Sequence, residues 1–168
     1  MDKCKICGKD ISSPDNYCDQ CKNRYPNLTE ARPTWQDLYF GIAKLVASRS
    51  LDPSTKVGAV IVKDGCVMGV GYNGAPRKFK YKFDWNSKEK YDYVIHAELN
   101  AVSNACSIGA NVNGADIYLT MSPCHDCIKL LIQHQIKRVY YLNEYKDIEL
   151  TKKIAENADI ELIKVEEK

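Results

Sequence analysis

Apolar segments of two different periodicities alternate along most of the chain. β-Branched and aromatic runs with the length and composition of strands occur at 57–62, 66–73, 115–120, 138–142 and 160–165. An Asp-Gly turn between the first two runs predicts a hairpin. Segments with apolar residues at helical spacing begin at Thr34, His96, Ser122 and about 148. The order α-β-β-α-β-α-β-α-β predicts a largely parallel sheet with helices on both faces.

The first two of these helices are expected to bury their larger apolar side chains. In the third, Ser122 and Pro123 have the residue types of an N-cap and a first helical position. Two isolated cysteines, Cys66 and Cys106, lie within apolar patterns and are interpreted as small buried hydrophobes. The predicted buried faces are Trp35, Leu38, Ile42 and Leu45 in the first helix, and Leu99, Val102 and Cys106 in the second.

The first 21 residues have hardly any apolar side chains but contain four cysteines, Cys4, Cys7, Cys18 and Cys21. Two Cys-x2-Cys pairs separated by ten residues can supply four thiolates to a structural Zn²⁺, whose binding would provide the folding energy. The alternative is unliganded cysteines in a flexible tail. Residues 21–33 contain two prolines and no periodicity and are interpreted as a linker. We therefore predict a zinc-ribbon-like module and linker at 1–30 and a catalytic domain at 31–168.

Composition excludes several classes of protein. Of 168 residues, 45% are hydrophobic and 27% charged, and the formal net charge is +2, so no general affinity for polyanions is implied. No apolar run approaches the ~20 residues that cross a bilayer. The start, MDKCKICGKD, has no apolar core of a secretion signal. We expect a cytoplasmic protein with no membrane partner, in which cysteines stay reduced.

A second group of metal-ligand residues lies at two predicted helix starts. His96 precedes one helix, and Cys124 and Cys127 begin the next. Two thiolates and an imidazole suit Zn²⁺, and three protein ligands leave the open position that a catalytic zinc requires. Glu98 follows His96 by two residues and is placed to exchange protons with a zinc-activated water. This pattern indicates metal-assisted hydrolysis.

The motifs HAELNA, SPCHDC, VGAVIV and GYNGAP together resemble those of the deoxycytidylate (dCMP) deaminase family, over about residues 34–145. The resemblance implies a three-layer α-β-α cytidine-deaminase-like fold with a five-stranded mixed, largely parallel sheet. It also implies hydrolysis of dCMP to dUMP and ammonia, which supplies dUMP for dTMP synthesis. The zinc ligands would be His96, Cys124 and Cys127, and the proton shuttle Glu98.

The resemblance implies further contacts and partners. Asn73 would contact the sugar and base, the Ala97 amide would meet the base carbonyl, Arg49 and Lys56 would lie near the 5′-phosphate, and Tyr145 beside the substrate. The family is often a hexamer activated by dCTP and inhibited by dTTP, with Mg²⁺ accompanying a triphosphate effector. Whether dCTP is itself a substrate is left open. The four-cysteine module departs from the common family core.

Two other functions remain open at this stage. Loop 77–93 contains six basic residues and six aromatics, a combination suited to single-stranded nucleic acid and hence to a polynucleotide deaminase. We favour a flap over the active site, because the loop leads directly to His96. The other alternative is a non-enzymatic zinc-ribbon binding protein with an inert deaminase-like domain. The GYNG motif at 71–74, together with the complete constellation around Glu98, favours the nucleotide deaminase.

Overall fold

The computed structural model describes residues 2–4, 6–11, 17–24, 33–146 and 148–166. The chain divides into two compact units, residues 1–35 and 36–168. The predicted boundary after residue 30 lies in 25–32, outside the described residues, and stays a prediction. The first unit contains an antiparallel pair, β1 (Asp2–Lys3) and β2 (Asp10–Ile11), followed by α1 (Asp19–Arg24).

The second unit contains every strand and helix that the periodicity predicts, together with one additional short helix. Its elements are α2 (Trp35–Ala47), β3 (Gly58–Lys63), β4 (Cys66–Tyr72), α3 (Lys90–Tyr93), α4 (Ala97–Ser107), β5 (Asp116–Met121), α5 (His125–Gln133), β6 (Arg138–Asn143), α6 (Ile148–Glu156) and β7 (Glu161–Lys164). The strands form one sheet in the order β4-β3-β5-β6-β7. Strand β3 pairs antiparallel with β4 and β5, whereas β5, β6 and β7 are parallel. The predicted five-stranded mixed sheet is confirmed.

Alternate residues of the central strands enter two separate hydrophobic clusters, which places one cluster on each face of the sheet. Ile117 and Leu119 join the larger cluster with residues of α4, α5 and α6. Tyr118, between them, joins the smaller cluster with Tyr39 and Phe40 of α2. The three-layer α-β-α arrangement is therefore confirmed. Among the described residues, no helix has both the length and the apolar character needed to cross a bilayer.

Alanines occupy the closest contacts between the sheet and helices α2 and α4, whereas the larger buried residues of α2 are Tyr39 and Phe40. A Cβ added to Gly71 of β4 would overlap the α4 backbone at Ala97 and Ala101, and one on Gly58 of β3 would overlap α2 at Ala43. So close an approach leaves room only for small side chains. The predicted faces were therefore wrong at several positions. The residues that lie exposed are Trp35, Leu38, Leu45, Leu99, Cys66 and Cys106.

Two asparagines fix α4 along the edge strand. Asn100 Nδ2 donates to the Tyr72 carbonyl at 2.8 Å, and one helical turn later Asn104 Nδ2 donates to the Val70 carbonyl at 2.7 Å. These bonds occupy two carbonyls of β4, the edge strand of the sheet. The asparagine of the HAELNA motif thus has a structural role, because it holds the helix that begins beside His96.

Candidate active site and metal centres

Two helices begin at the same edge of the sheet, and each N-cap is a candidate metal ligand. His96 precedes α4 with φ −73° and ψ 158°, and Cys124 precedes α5 with φ −75° and ψ 170°. The α5 helix therefore starts later than the predicted Ser122–Pro123. Because the first amides of a helix have no partner within it, each helix start presents N–H groups beside these side chains. Cys127 lies in the first turn of α5.

The ligand atoms of His96, Cys124 and Cys127 lie within 4.8 Å of one another. The Nδ1 atom of His96 is 3.5 Å from Cys124 Sγ and 3.3 Å from Cys127 Sγ. A hydrogen bond from the Cys127 thiol is the main reason that the pKa of the Cys124 thiol falls to about 3, and His96 adds to this effect. One thiolate, a second thiol and an imidazole in this arrangement match the donors that Zn²⁺ prefers.

Glu98 lies buried beside these three residues. It is 4% exposed and lines the same cavity as His96 and Cys124. Burial raises the pKa of its carboxyl to about 7, although its own backbone N–H and the nearby His96 favour the charged form. A dication bound beside it would lower that pKa. The carboxyl can therefore hold or release a proton near neutral pH.

One wall of the cavity comes from the segment before β3 and from the end of β4. Asn73 is 8% exposed; its Oδ1 accepts from the Val57 amide at 2.9 Å, and its Nδ2 donates to the Thr55 carbonyl at 2.9 Å. An amide side chain has a second N–H and a second lone pair. These two bonds leave the second N–H and the second lone pair of the Asn73 amide unused, so Asn73 can still contact a ligand.

The structure brings most of the predicted substrate residues to this cavity. Asn73, Ala97 and Tyr145 line it together with His96 and Glu98. The Tyr145 amide donates to Ser122 Oγ at 2.8 Å, which anchors the segment that carries this ring.

The two residues predicted to contact the 5′-phosphate are placed differently from the other predicted substrate residues. Arg49 and Lys56 are exposed and are not among the residues that line the cavity. Their predicted contact with a phosphate stays a prediction.

An ion pair in the cavity wall was not predicted from the sequence. Lys90 Nζ lies 2.9 Å from Asp52 Oδ1 and 2.7 Å from Ser54 Oγ, and all three residues line the cavity. Burial by itself would raise the pKa of the Asp52 carboxyl, but hydrogen bonds from Lys90, Ser54 and Thr55 outweigh it and lower that pKa to about 2. The sequence does indicate a turn at Asp52, because Asp-Pro-Ser precedes a predicted strand. It contains no short-range pattern that would pair Asp52 with Lys90.

Loop 77–93 packs largely on its own aromatic rings. Tyr93 is the centre, with ring centroids of Phe79, Tyr81 and Phe83 at 5.4, 5.1 and 5.4 Å. The end of the loop forms part of the cavity wall through Lys90 and its neighbour Tyr91. The position of Lys90 and Tyr91 in the cavity wall is compatible with the predicted flap over the active site.

The four cysteines of the first unit also converge. The sulfurs of Cys4, Cys7, Cys18 and Cys21 lie within 4.8 Å of one another. Cys4 and Cys21 are buried with Ile11 in a small cluster of their own. Backbone hydrogen bonds, led by one from Cys7, lower the pKa of the Cys4 thiol to about 6, which favours a thiolate. Four sulfurs without an open position suit a structural metal site.

Comparison with known proteins identifies a family over most of the second unit. The sequence model described as "Cytidine and deoxycytidylate deaminase zinc-binding region" matches residues 33–143. Deoxycytidylate deaminase of Mus musculus is 41% identical over 144 residues, which cover 78% of this chain and 75% of the mouse protein. ComE operon protein 2 of Bacillus subtilis is 35% identical over 138 residues, covering 80% and 73% of the two chains.

A solved structure gives the same relationship in three dimensions. The crystal structure of dCMP deaminase from the cyanophage S-TIM5, in complex with dCMP and dUMP, superposes with a TM-score of 0.72 at 30% sequence identity. The match covers 81% of this chain and 100% of the phage chain. The range that the family model matches contains His96, Glu98, Cys124 and Cys127.

Proposed function

We propose, because this chain belongs to the cytidine and deoxycytidylate deaminase family, that it hydrolyses dCMP to dUMP and ammonia. One observation carries the proposal: the imidazole and two thiols that could bind zinc converge beside a buried carboxyl in a single cavity. The relative with dCMP and dUMP bound supports the choice of substrate. The curated deoxycytidylate deaminase of Mus musculus supports it independently.

The donor set fits a zinc ion. His96, Cys124 and Cys127 would hold it, and a fourth position would stay open toward the cavity. Zinc bound there would supply Lewis acidity and lower the pKa of a water molecule toward ~7. Because Cys124 is an N-cap, the positive end of α5 favours its thiolate form.

Glu98 would move the protons of the reaction. Water attacks C4 of cytosine, and the Glu98 carboxylate accepts the proton that this water loses. The same carboxyl then protonates N3, takes a second proton from the hydroxyl now on C4 and passes it to the departing amine, so that ammonia leaves and C4 becomes a carbonyl. Its burial favours this role, because burial raises the pKa of the carboxyl to about 7 in the metal-free chain. Zinc beside it would lower that pKa and favour the carboxylate that accepts the first proton.

The cavity wall would orient the nucleotide. Asn73 would contact sugar and base through its remaining N–H and lone pair, and the Ala97 amide would donate to the base carbonyl. Tyr145 would lie against the substrate. Arg49 and Lys56 are exposed, so either could meet the 5′-phosphate only at the rim of the cavity. Charge-assisted contacts to that phosphate would make deoxycytidine a poorer substrate than dCMP.

The module at the N-terminus would hold a second zinc ion with a structural role. Cys4, Cys7, Cys18 and Cys21 supply four sulfurs, and the module has little other apolar surface to stabilise it. The family resemblance adds a homohexamer with dCTP and dTTP as effectors, the triphosphate with Mg²⁺, in the cytoplasm. These features stay predictions.

A polynucleotide deaminase is the main rival. Phe83 and Tyr93 stack on each other with centroids 5.4 Å apart, which leaves each ring at most one face for a base, whereas Tyr81 and Tyr91 are 54% and 69% exposed. The relative with dCMP and dUMP bound favours the smaller substrate. An inert deaminase-like domain is disfavoured by the complete set of His96, Glu98, Cys124 and Cys127 around one cavity.

The test is ammonia release by the zinc-loaded chain from dCMP, dCTP, CMP, deoxycytidine and a cytosine-containing oligonucleotide. We expect turnover of dCMP, at least tenfold lower efficiency with deoxycytidine, and none with the oligonucleotide. Efficient turnover of the oligonucleotide would favour the rival. The absence of ammonia from every substrate would support the non-enzymatic alternative.

A further inference from the structure

A buried ion pair lies in the wall of the active cavity. The side chains of Lys90 and Asp52 are 7% and 8% exposed and lie 2.9 Å apart. The five other basic residues of loop 77–93 are exposed. Removing two charges from water is costly, and such a pair often stabilises a fold less than apolar residues of similar size. Its place in the cavity therefore suggests a role other than stability.

The pair fixes the backbone of the opposite cavity wall. Asp52 Oδ1 accepts from the Ser54 amide at 2.8 Å, the Ser54 hydroxyl at 2.7 Å and the Thr55 amide at 3.2 Å, in addition to Lys90. These bonds determine the conformation of the turn that begins at Asp52. Without the Lys90 ammonium, the carboxylate would lose both the cation that balances its charge and its bond to loop 77–93. It would then take up a proton or water more readily, and the turn bonds that it accepts would weaken.

The same turn fixes the orientation of Asn73. The Thr55 carbonyl accepts from Asn73 Nδ2, and the Val57 amide donates to Asn73 Oδ1, both at 2.9 Å. These two bonds decide which edge of the amide faces the cavity. A continuous chain of contacts thus runs from Lys90 through Asp52 and Thr55 to Asn73.

We propose that Lys90 and Asp52 are positioning residues for the nucleotide: their ion pair joins loop 77–93 to the turn at 52–55 and thereby orients the Asn73 amide. This inference rests on the proposed function and adds residues to its site. Neither side chain needs to touch the reacting atoms. The pair acts on binding, because Asn73 meets sugar and base rather than the C4 atom.

The test compares KM and kcat for dCMP in the zinc-loaded full chain and three variants. These are Lys90→Met, Asp52→Asn and the double variant that carries both changes. We expect KM to rise at least tenfold in each variant, with a smaller change in kcat. Arg138→Met is the matched control, because it breaks an ion pair with Asp116 that does not line the cavity; its KM should stay within twofold of the unmodified chain.

The double variant separates positioning from stability. It leaves no unpaired buried charge, so its melting temperature should recover relative to the single variants. If KM remains raised in a double variant with recovered stability, the positioning role is supported. A double variant with KM within twofold of the unmodified chain would overturn it, as would an equal rise in KM in Arg138→Met.

Trypsin cleavage gives a second measurement that does not depend on activity. Loop 77–93 exposes the basic residues Arg77, Lys78, Lys80, Lys82 and Lys88. Without nucleotide, cleavage within the loop should be several-fold faster in the double variant than in the control. Equal rates would contradict the link between loop and turn. If the unmodified chain does not deaminate dCMP, the proposed function fails, while this comparison still tests the link.

Discussion

Replacing Asp52 by Asn should change how the stability of this protein depends on pH. In the folded chain, the Asp52 carboxyl has its pKa lowered from 3.8 to about 2 by Lys90, Ser54 and Thr55, against the opposing effect of burial. A folded pKa below the unfolded value adds stability above the unfolded pKa, and that stability is lost as pH falls through the folded one. The difference between the folded and unfolded pKa contributes about 2 kcal/mol to the free energy of unfolding at neutral pH, and about half of this contribution is lost by pH 3.

The assay is urea unfolding followed by circular dichroism between pH 7 and pH 3, on the metal-free chain and its Asp52→Asn variant. The free-energy difference between the two should shrink by about 1 kcal/mol over that range. Asp159→Asn is the control, since it makes the same chemical change at an exposed turn residue with φ 52°. Parallel pH profiles for the chain and Asp52→Asn would refute the reasoning.

Three further predictions concern the site and the contacts that support it. Glu98→Gln should keep its zinc but lose ~10²–10⁴-fold in kcat, and near-normal turnover would exclude the carboxyl from proton transfer. Gly71→Ala should lower stability by ~1–3 kcal/mol and reduce zinc content, because its Cβ would overlap the α4 backbone. Gly41→Ala, which meets open space in α2, should leave the melting temperature unchanged or higher. Elemental analysis should find two zinc ions per chain and one after Cys4 and Cys7 become Ser; a single zinc in the unmodified chain would contradict the structural site.

The sequence by itself determined the family and the elements of the second unit, except for the short helix α3. Strands follow from local runs of β-branched residues, and an Asp-Gly turn forms a hairpin independently of the position of the hairpin in the sheet. The spacing in His96-x-Glu98 and Cys124-x2-Cys127 is also local, because each pair lies within a single helix start. Such short-range patterns constrain geometry without knowledge of the fold.

Only the tertiary structure decided which helix faces are buried. The periodicity of large apolar residues placed Leu38 and Leu45 in the core, yet they are 44% and 73% exposed, while Ala43 is fully buried. The physical reason is close packing: at Gly58 the α2 backbone comes so near to β3 that only alanine fits at this contact, and Tyr39 and Phe40 fill the buried face of α2 beside it. Hydrophobicity reports how much a side chain gains from burial, but not how much space its neighbour leaves.

The ion pair in the cavity wall was likewise a tertiary feature. Asp52 and Lys90 are separated by 38 positions in the chain, and neither belongs to a motif shared with the other. Their contact depends on where loop 77–93 returns to the sheet, which is set by the packing of its rings on Tyr93 and by the bridge between Gly74 and Ile95. A charged residue in a polar loop is by default exposed to water. Whether it becomes a buried partner is decided only when the folded chain brings an opposite charge to it.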